Sequence, residues 1–132
     1  MSQENVEVVR GQFEATNRRD FAAAMDAYAE DVVLVVKGLF PSGTFLGREA
    51  VGGWFGDWFS AFGQDYHFEI EEAKAVGERV LITASHHGSG RASGIAVKGT
   101  TAYVYTVKAG KVARVELYTD RADAVAVIGL KE

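Results

Sequence analysis

Hydrophobic and polar positions alternate residue by residue along Thr100 to Thr119 (TTAYVYTVKAGKVARVELYT), which predicts two strands joined by a tight turn at Ala109-Gly110. With a two-residue loop, Lys108 faces Lys111, and the pairing runs back through Val104 with Val115 to Ala102 with Leu117. Ala102, Val104, Thr106, Ala113, Val115 and Leu117 then share a small apolar face, and Tyr103, Tyr105, Arg114, Glu116 and Tyr118 share an aromatic, charged one. The second face suits contact with another subunit. A three-residue loop with a bulge at Gly110 swaps the partners, and a slip of one residue exchanges the two faces.

Upstream, the pattern changes period several times. Val6, Val9 and Phe13 recur at helical spacing and predict a helix from Ser2 to about Arg18; Asp20 caps a second, with Phe21, Ala24, Met25 and Tyr28 at i, i+3, i+4 and i+7. Asp31 ends this pair, and Val32 to Lys37 reads as a strand buried on both sides. Gly38 to Gly47 holds the only proline and reads as a loop, with Phe40 and Phe45 apolar enough to fold over something. Val51, Trp54, Phe55, Trp58, Phe59 and Phe62 then form one aromatic stripe on a helix that ends near Gly63. Gly52, Gly53 and Gly56 on its other side each cost roughly 1 kcal/mol against alanine, so packing of the stripe must hold it.

Strands follow at Tyr66 to Ala73, Val80 to His87 and Ile95 to Lys108, with a turn at Gly88 to Gly94. In the second of these, Val80, Ile82, Ala84 and His86 make the more apolar register. Asp120 caps a short terminal helix that Gly129 ends. Two helices, a strand, a helix, four strands and a tail helix argue for an α+β fold with helices on one face of a curved sheet.

Composition narrows the function classes. At 132 residues, 48% hydrophobic and 24% charged, the chain reads as one soluble domain, residues 1–132. There is no cysteine, so thiolate nucleophiles, thiolate metal sites and redox pairs are excluded. A net charge of −4 without a basic stripe argues against nucleic acid, and no apolar run suits a membrane or a leader, so a cytoplasmic location is the expectation.

The residues also carry a resemblance. SQENVEVVR at the start, D-x-x-x-x-x-D-x-Y-A-E-D-V from Asp20 to Val32, G-R-E-A-V from Gly47 to Val51 and, most specific, G-K-V-A-R-V-E-L-Y-T-D-R-A-D-A from Gly110 to Ala124 resemble the SnoaL-like branch of the nuclear-transport-factor-2-like superfamily. The resemblance covers essentially the whole chain. It implies a conical, cystatin-like roll in which N-terminal helices pack on a strongly curved, mixed, mainly antiparallel sheet and enclose a pocket. It also implies a homodimer through the sheet.

The catalytic groups of the superfamily's enzymes do not carry over. Against ketosteroid isomerases, the base falls at Val36, the oxyanion tyrosine near Gln12 and the acid at Ala102; against limonene-type epoxide hydrolases, the catalytic positions fall at His86, Leu117 and Ala84. His86 alone among these titrates, and a neutral imidazole on an inner strand face is suited to general base catalysis. The plainer alternative is a partly buried histidine satisfied by a tyrosine or the backbone. His86 and His87 point to opposite faces and, with only His67 besides, make no chelating set, so neither a metal nor a cofactor is expected.

The expected apolar pocket draws on Phe13, Tyr28, Trp54, Trp58, Phe62, Ala102, Val104, Val115 and Leu117, with Asn17 and Thr106 as polar handles. Phe55 and Phe59 belong to the same stripe, which is otherwise simply core. Three readings follow: acid/base chemistry on an apolar carbonyl substrate, as in cyclisation or isomerisation; a non-catalytic ligand-binding module; or a protein-interaction module acting through the tyrosine-rich face.

Overall fold

The structure, a computed structural model, describes residues 2–39 and 41–129. Helix α1 (Ser2–Asn17) buries Val6, Val9 and Phe13, as their spacing requires. Asp20 then caps α2 (Phe21–Asp26), its carboxylate accepting from the Ala23 N–H at 3.1 Å. Strand β1 (Tyr28–Val36) starts four residues before the predicted strand, so Asp31 lies exposed within it and terminates nothing. The reason is long-range. The Val112 N–H donates to the Ala27 carbonyl and Tyr28 pairs with Val112, which draws the chain into the sheet as soon as α2 ends. Val32, Leu34 and Val36 are buried, while Val33 and Val35 are only half-buried on the opposite side.

The predicted loop contains a short edge strand, β2 (Gly43–Leu46), antiparallel to β1 with Val36 opposite Gly43. Phe45 packs against the core, and Phe40 lies outside the described residues. Helix α3 (Gly47–Ser60) crosses back over β1. Three antiparallel strands follow, β3 (His67–Val76), β4 (Arg79–Ser89) and β5 (Ala96–Lys108), then β6 (Lys111–Tyr118) and α4 (Arg121–Ile128). The sheet runs β2-β1-β6-β5-β4-β3, antiparallel except where β1 lies parallel to β6. It is a curved, mixed, unclosed six-stranded sheet in an α+β fold. Helices α1 and α3 pack on one side and α4 on the other, so the prediction that all helices share a face holds only for the first three.

The closing hairpin carries the main correction. Ala109 and Gly110 both take positive φ, and Lys108 faces Lys111 across the two-residue turn, as predicted. Two residues further on, Ala113 is bulged out between the Thr106–Arg114 and Val107–Val112 pairs. Ala102 therefore pairs with Tyr118, Tyr103 with Leu117, and Tyr105 with Val115. Val115 and Leu117 keep the concave face assigned to them, but β5 is inverted. Tyr103 and Tyr105 point into the concave core, and Ala102 and Val104 lie on the convex side with Thr106 in the same alternation.

On the convex side, Leu81, Ala102, Val104 and Tyr118 pack with Ala124 and Ile128 of α4. The predicted interface set is thus divided. Arg114, Glu116 and Tyr118 stay convex; the Tyr118 hydroxyl donates to Glu116 at 2.9 Å, and the Arg114 guanidinium lies 3.5 Å from the same carboxylate. Arg121 ties α4 to β3 through two hydrogen bonds to the Glu72 carboxylate, at 2.8 and 2.9 Å. Asp120 caps α4, and Gly129 ends it in the left-handed conformation. Among the described residues no helix is long and apolar enough to cross a membrane.

Candidate functional site

A cavity of about 720 Å³ lies between α1, α2 and α3 on one side and the concave sheet on the other. Its existence follows from how α3 divides its aromatic residues. Trp54 and Trp58, one turn apart, stack with centroids 5.6 Å apart and point to the core, where the Trp54 indole N–H donates to Pro41 O at 2.8 Å and that of Trp58 to the Tyr66 hydroxyl at 2.9 Å. Phe55 and Phe59 face the cavity instead, beside Gly52 and Gly56. A Cβ on Gly56 would meet nothing within 4 Å, and one on Gly52 would approach the Met25 Cε to 2.9 Å. Two of the three glycines that weaken the helix, Gly52 and Gly56, are thus residues whose missing side chains leave the space open.

Phe13, Phe68 and Phe59 make much of the apolar wall, joined edge to face through Phe68. Tyr28, Tyr103 and Tyr105 form the deep end. Burial raises the pKa of each; the Gln12 side chain offsets part of this at Tyr28 and the Thr101 side chain part of it at Tyr103. Tyr105 has no such offset, and its neighbouring phenols push it further up. All three stay protonated near neutral pH and present O–H groups that can donate to a ligand oxygen. The Tyr105 side chain makes no hydrogen bond among the described residues.

The rim is polar. Exposed Ser60, Gln64 and Arg91 mark where the cavity meets solvent, with Phe21 45% exposed at its edge. Arg19 also lines it; its guanidinium donates to Thr16 O at 3.3 Å, to Gln64 O at 3.0 Å and to Tyr66 O, and lies 6.0 Å from the Phe59 ring centroid.

His86 is not in this cavity. It faces a second space of only about 10 Å³, lined by Trp54, Trp58, Tyr66, Thr101 and Leu117 and sharing Phe55, Phe68 and Tyr103 with the large one. That is about the room one water requires. The imidazole is ringed by Tyr66, Phe68 and Trp58 at centroid distances of 5.5, 6.3 and 6.4 Å, and its buried Nδ1 has no hydrogen-bond partner among the described residues. Desolvation, and to a smaller extent His87, lowers the His86 pKa and favours the neutral ring. Burial likewise pushes Tyr66 up to about 12, against the Trp58 hydrogen bond.

The structure thus gathers Phe13, Tyr28 and Phe62 around the large cavity, and Trp54, Trp58 and Leu117 around the small one. Val115 is buried in the concave core. Asn17 is exposed and splints α1 to β3, donating to Phe68 O and accepting from its N–H, both at 2.9 Å. Ala102, Val104 and Thr106 lie on the far side of the sheet and cannot line the cavity, because the Ala113 bulge reverses the parity between β5 and β6. Sequence reasoning missed Tyr103, Tyr105, Phe68, Arg19 and Arg91 as cavity residues. The β4 pattern carried a usable signal for the tyrosines, since Ile82 and Val80 on its apolar face pair with Tyr103 and Tyr105. No local pattern marks the arginines. Among the described residues no three His, Cys, Asp or Glu side chains cluster as a metal site would need.

The family model for a SnoaL-like domain matches residues 9–115. No curated protein sequence matches the chain. Solved structures resemble it over nearly its whole length. An NTF2-like protein of unknown function from Burkholderia pseudomallei is 22% identical, with 98% of this chain and 100% of that one covered and a TM-score of 0.76. A candidate SnoaL-like polyketide cyclase from Jannaschia is 16% identical, covering 100% and 96%, with a TM-score of 0.80. A protein of unknown function with a cystatin-like fold from Xanthomonas campestris is 21% identical, covering 91% and 94%, with a TM-score of 0.76. At these identities the likeness is one of fold.

Proposed function

The chain belongs to the SnoaL-like domain family, and we propose that it binds a small apolar carbonyl compound in the cavity between its helices and the concave sheet, with chemistry of the cyclase or isomerase type. The observation that carries this reading is the cavity of about 720 Å³ with three buried, protonated phenols at its deep end. Hydrogen bonds from Tyr105 and its neighbours to a carbonyl oxygen would stabilise the negative charge that develops there on enolisation, and in a desolvated site such donors act strongly. His86, held neutral, stands in the adjoining small space and would serve as base only if the shared wall of Phe55, Phe68 and Tyr103 opens.

That wall favours a second reading, in which the protein holds its ligand without converting it. One experiment separates the two. A panel of polycyclic ketones is titrated against the protein and each bound compound is recovered and weighed by mass spectrometry. Binding that is lost in Gly56→Trp, which fills the cavity, supports the site; a rearranged product that disappears in His86→Ala supports catalysis, and unchanged ligand supports storage. A homodimer through the convex face is part of the same proposal. Of the residues first assigned to it, Tyr103 and Tyr105 lie in the concave core and Glu116 and Tyr118 are buried, so it now rests on the exposed Arg114, and sedimentation of Arg114→Glu against the parent protein tests it.

A further inference from the structure

We infer that the cavity selects an anionic ligand: an organic acid whose apolar body fills the phenylalanine- and tyrosine-walled space and whose acidic group sits at the rim that carries Arg19 and Arg91. The inference rests on the cavity being a ligand site and names the class of ligand that site would take. Among the described residues that line it, Arg19 and Arg91 are the only formally charged side chains; no aspartate or glutamate is among them. The chain as a whole has 18 acidic and 14 basic residues, so the wall runs against the chain's own balance.

Both arginines are fastened to one short segment. Arg91 donates from its backbone N–H to Ala61 O and from Nε to Ser60 O, each at 3.0 Å, and Arg19 donates to Gln64 O at the segment's other end. Arg19 also takes a left-handed backbone, φ 63°, where only glycine is at ease. These partners are carbonyls, which fix the side chains and leave their net charge in place. Neither guanidinium has a carboxylate within 4.0 Å among the described residues.

A cation at the edge of an apolar cavity is less well screened than one in open water, so it rewards an anion and leaves a neutral ligand with an unanswered charge. The guanidinium's planar fork of donors also matches a carboxylate or a comparable acid group.

Fluorescence titration with two probes of one ring system tests this: anilinonaphthalene sulfonate, and N-phenylnaphthylamine, which lacks the sulfonate. The intact protein should bind the sulfonate about tenfold or more tightly than the neutral probe, and that preference should shrink as salt is raised. Arg91→Gln, at an exposed position, should cut sulfonate affinity by about tenfold and leave the neutral probe unchanged. Arg19→Gln should act likewise, with Arg19→Lys, which keeps the charge, restoring most of the binding if the glutamine variant does not fold. Equal affinity for the two probes, or an Arg91→Gln protein that treats both as the parent does, overturns the anion assignment and leaves the cavity reading standing. Binding of neither probe by the parent protein removes the cavity reading and this inference together.

Discussion

Gly99 faces His86 across β5 and β4, and a methyl group on Gly99 would fall 2.6 Å from the imidazole Nε2. The glycine makes the space in which the ring stands. Gly99→Ala should therefore force His86 off its position and lower stability by about 1–3 kcal/mol, the usual effect of overpacking. Urea unfolding measures the loss, and a shift of the His86 ring protons in the NMR spectrum shows where it arises; an unchanged ring environment would break the link.

The lowered pKa of His86 makes stability depend on pH with a definite sign. The unfolded chain takes up a proton near the ordinary 6.5, while the folded chain takes it up only at lower pH. The fold thus holds this contribution in full above 6.5 and loses it as pH falls below that value towards the folded pKa. Unfolding free energies measured between pH 8 and 5 should decline, and His86→Leu should flatten the part of the slope that begins near the ordinary histidine range.

Tyr105 should separate binding from folding. Its hydroxyl has no partner to lose among the described residues, so Tyr105→Phe should leave the unfolding midpoint unchanged or slightly raised. The same change should weaken binding of a carbonyl ligand by about 1 kcal/mol, as loss of one hydrogen bond would. Calorimetry of unfolding and of binding on the same preparation tests both halves.

Glu72 sets the acid limit of the α4 contact. The two hydrogen bonds from Arg121, with Lys74 adding to them against partial burial, hold its carboxyl down to about 2. Its contribution is present above the ordinary 4.5 and is lost as pH falls from there through about 2. Arg121→Ala should cost up to about 1 kcal/mol at neutral pH. It should also erase part of the difference between pH 5 and pH 3, read by urea unfolding at both values.

Much of the fold can be read from the chain because its signals are local. Asp20, Asp120 and Gly129 act as caps where their positions suggest, and the Val80, Ile82, Ala84, His86 register lies on the concave side. What could not be read depends on pairing. Nothing around Ala113 announces that it will be bulged out, since the alternation of β6 continues on either side of it, yet that one residue decides that tyrosines and not alanine and valine face the ligand space. Strand β2 was hidden by its glycine and proline surroundings, because an edge strand needs only one partner and β1 supplies it. In the site, the aromatic stripe was legible as a stripe. Its division between a tryptophan side in the core and a phenylalanine side on the cavity depends on where Pro41 and Tyr66 sit to receive the indole N–H groups.

The sheet keeps two clusters of side chains apart, one on the concave side and one under α4. Among the described residues none belongs to both clusters. Stability changes made in the two should therefore add, as they do for separated sites. Destabilising changes around the cavity can then be compensated by tighter packing beneath α4, which gives the binding wall freedom to diverge while the domain remains folded.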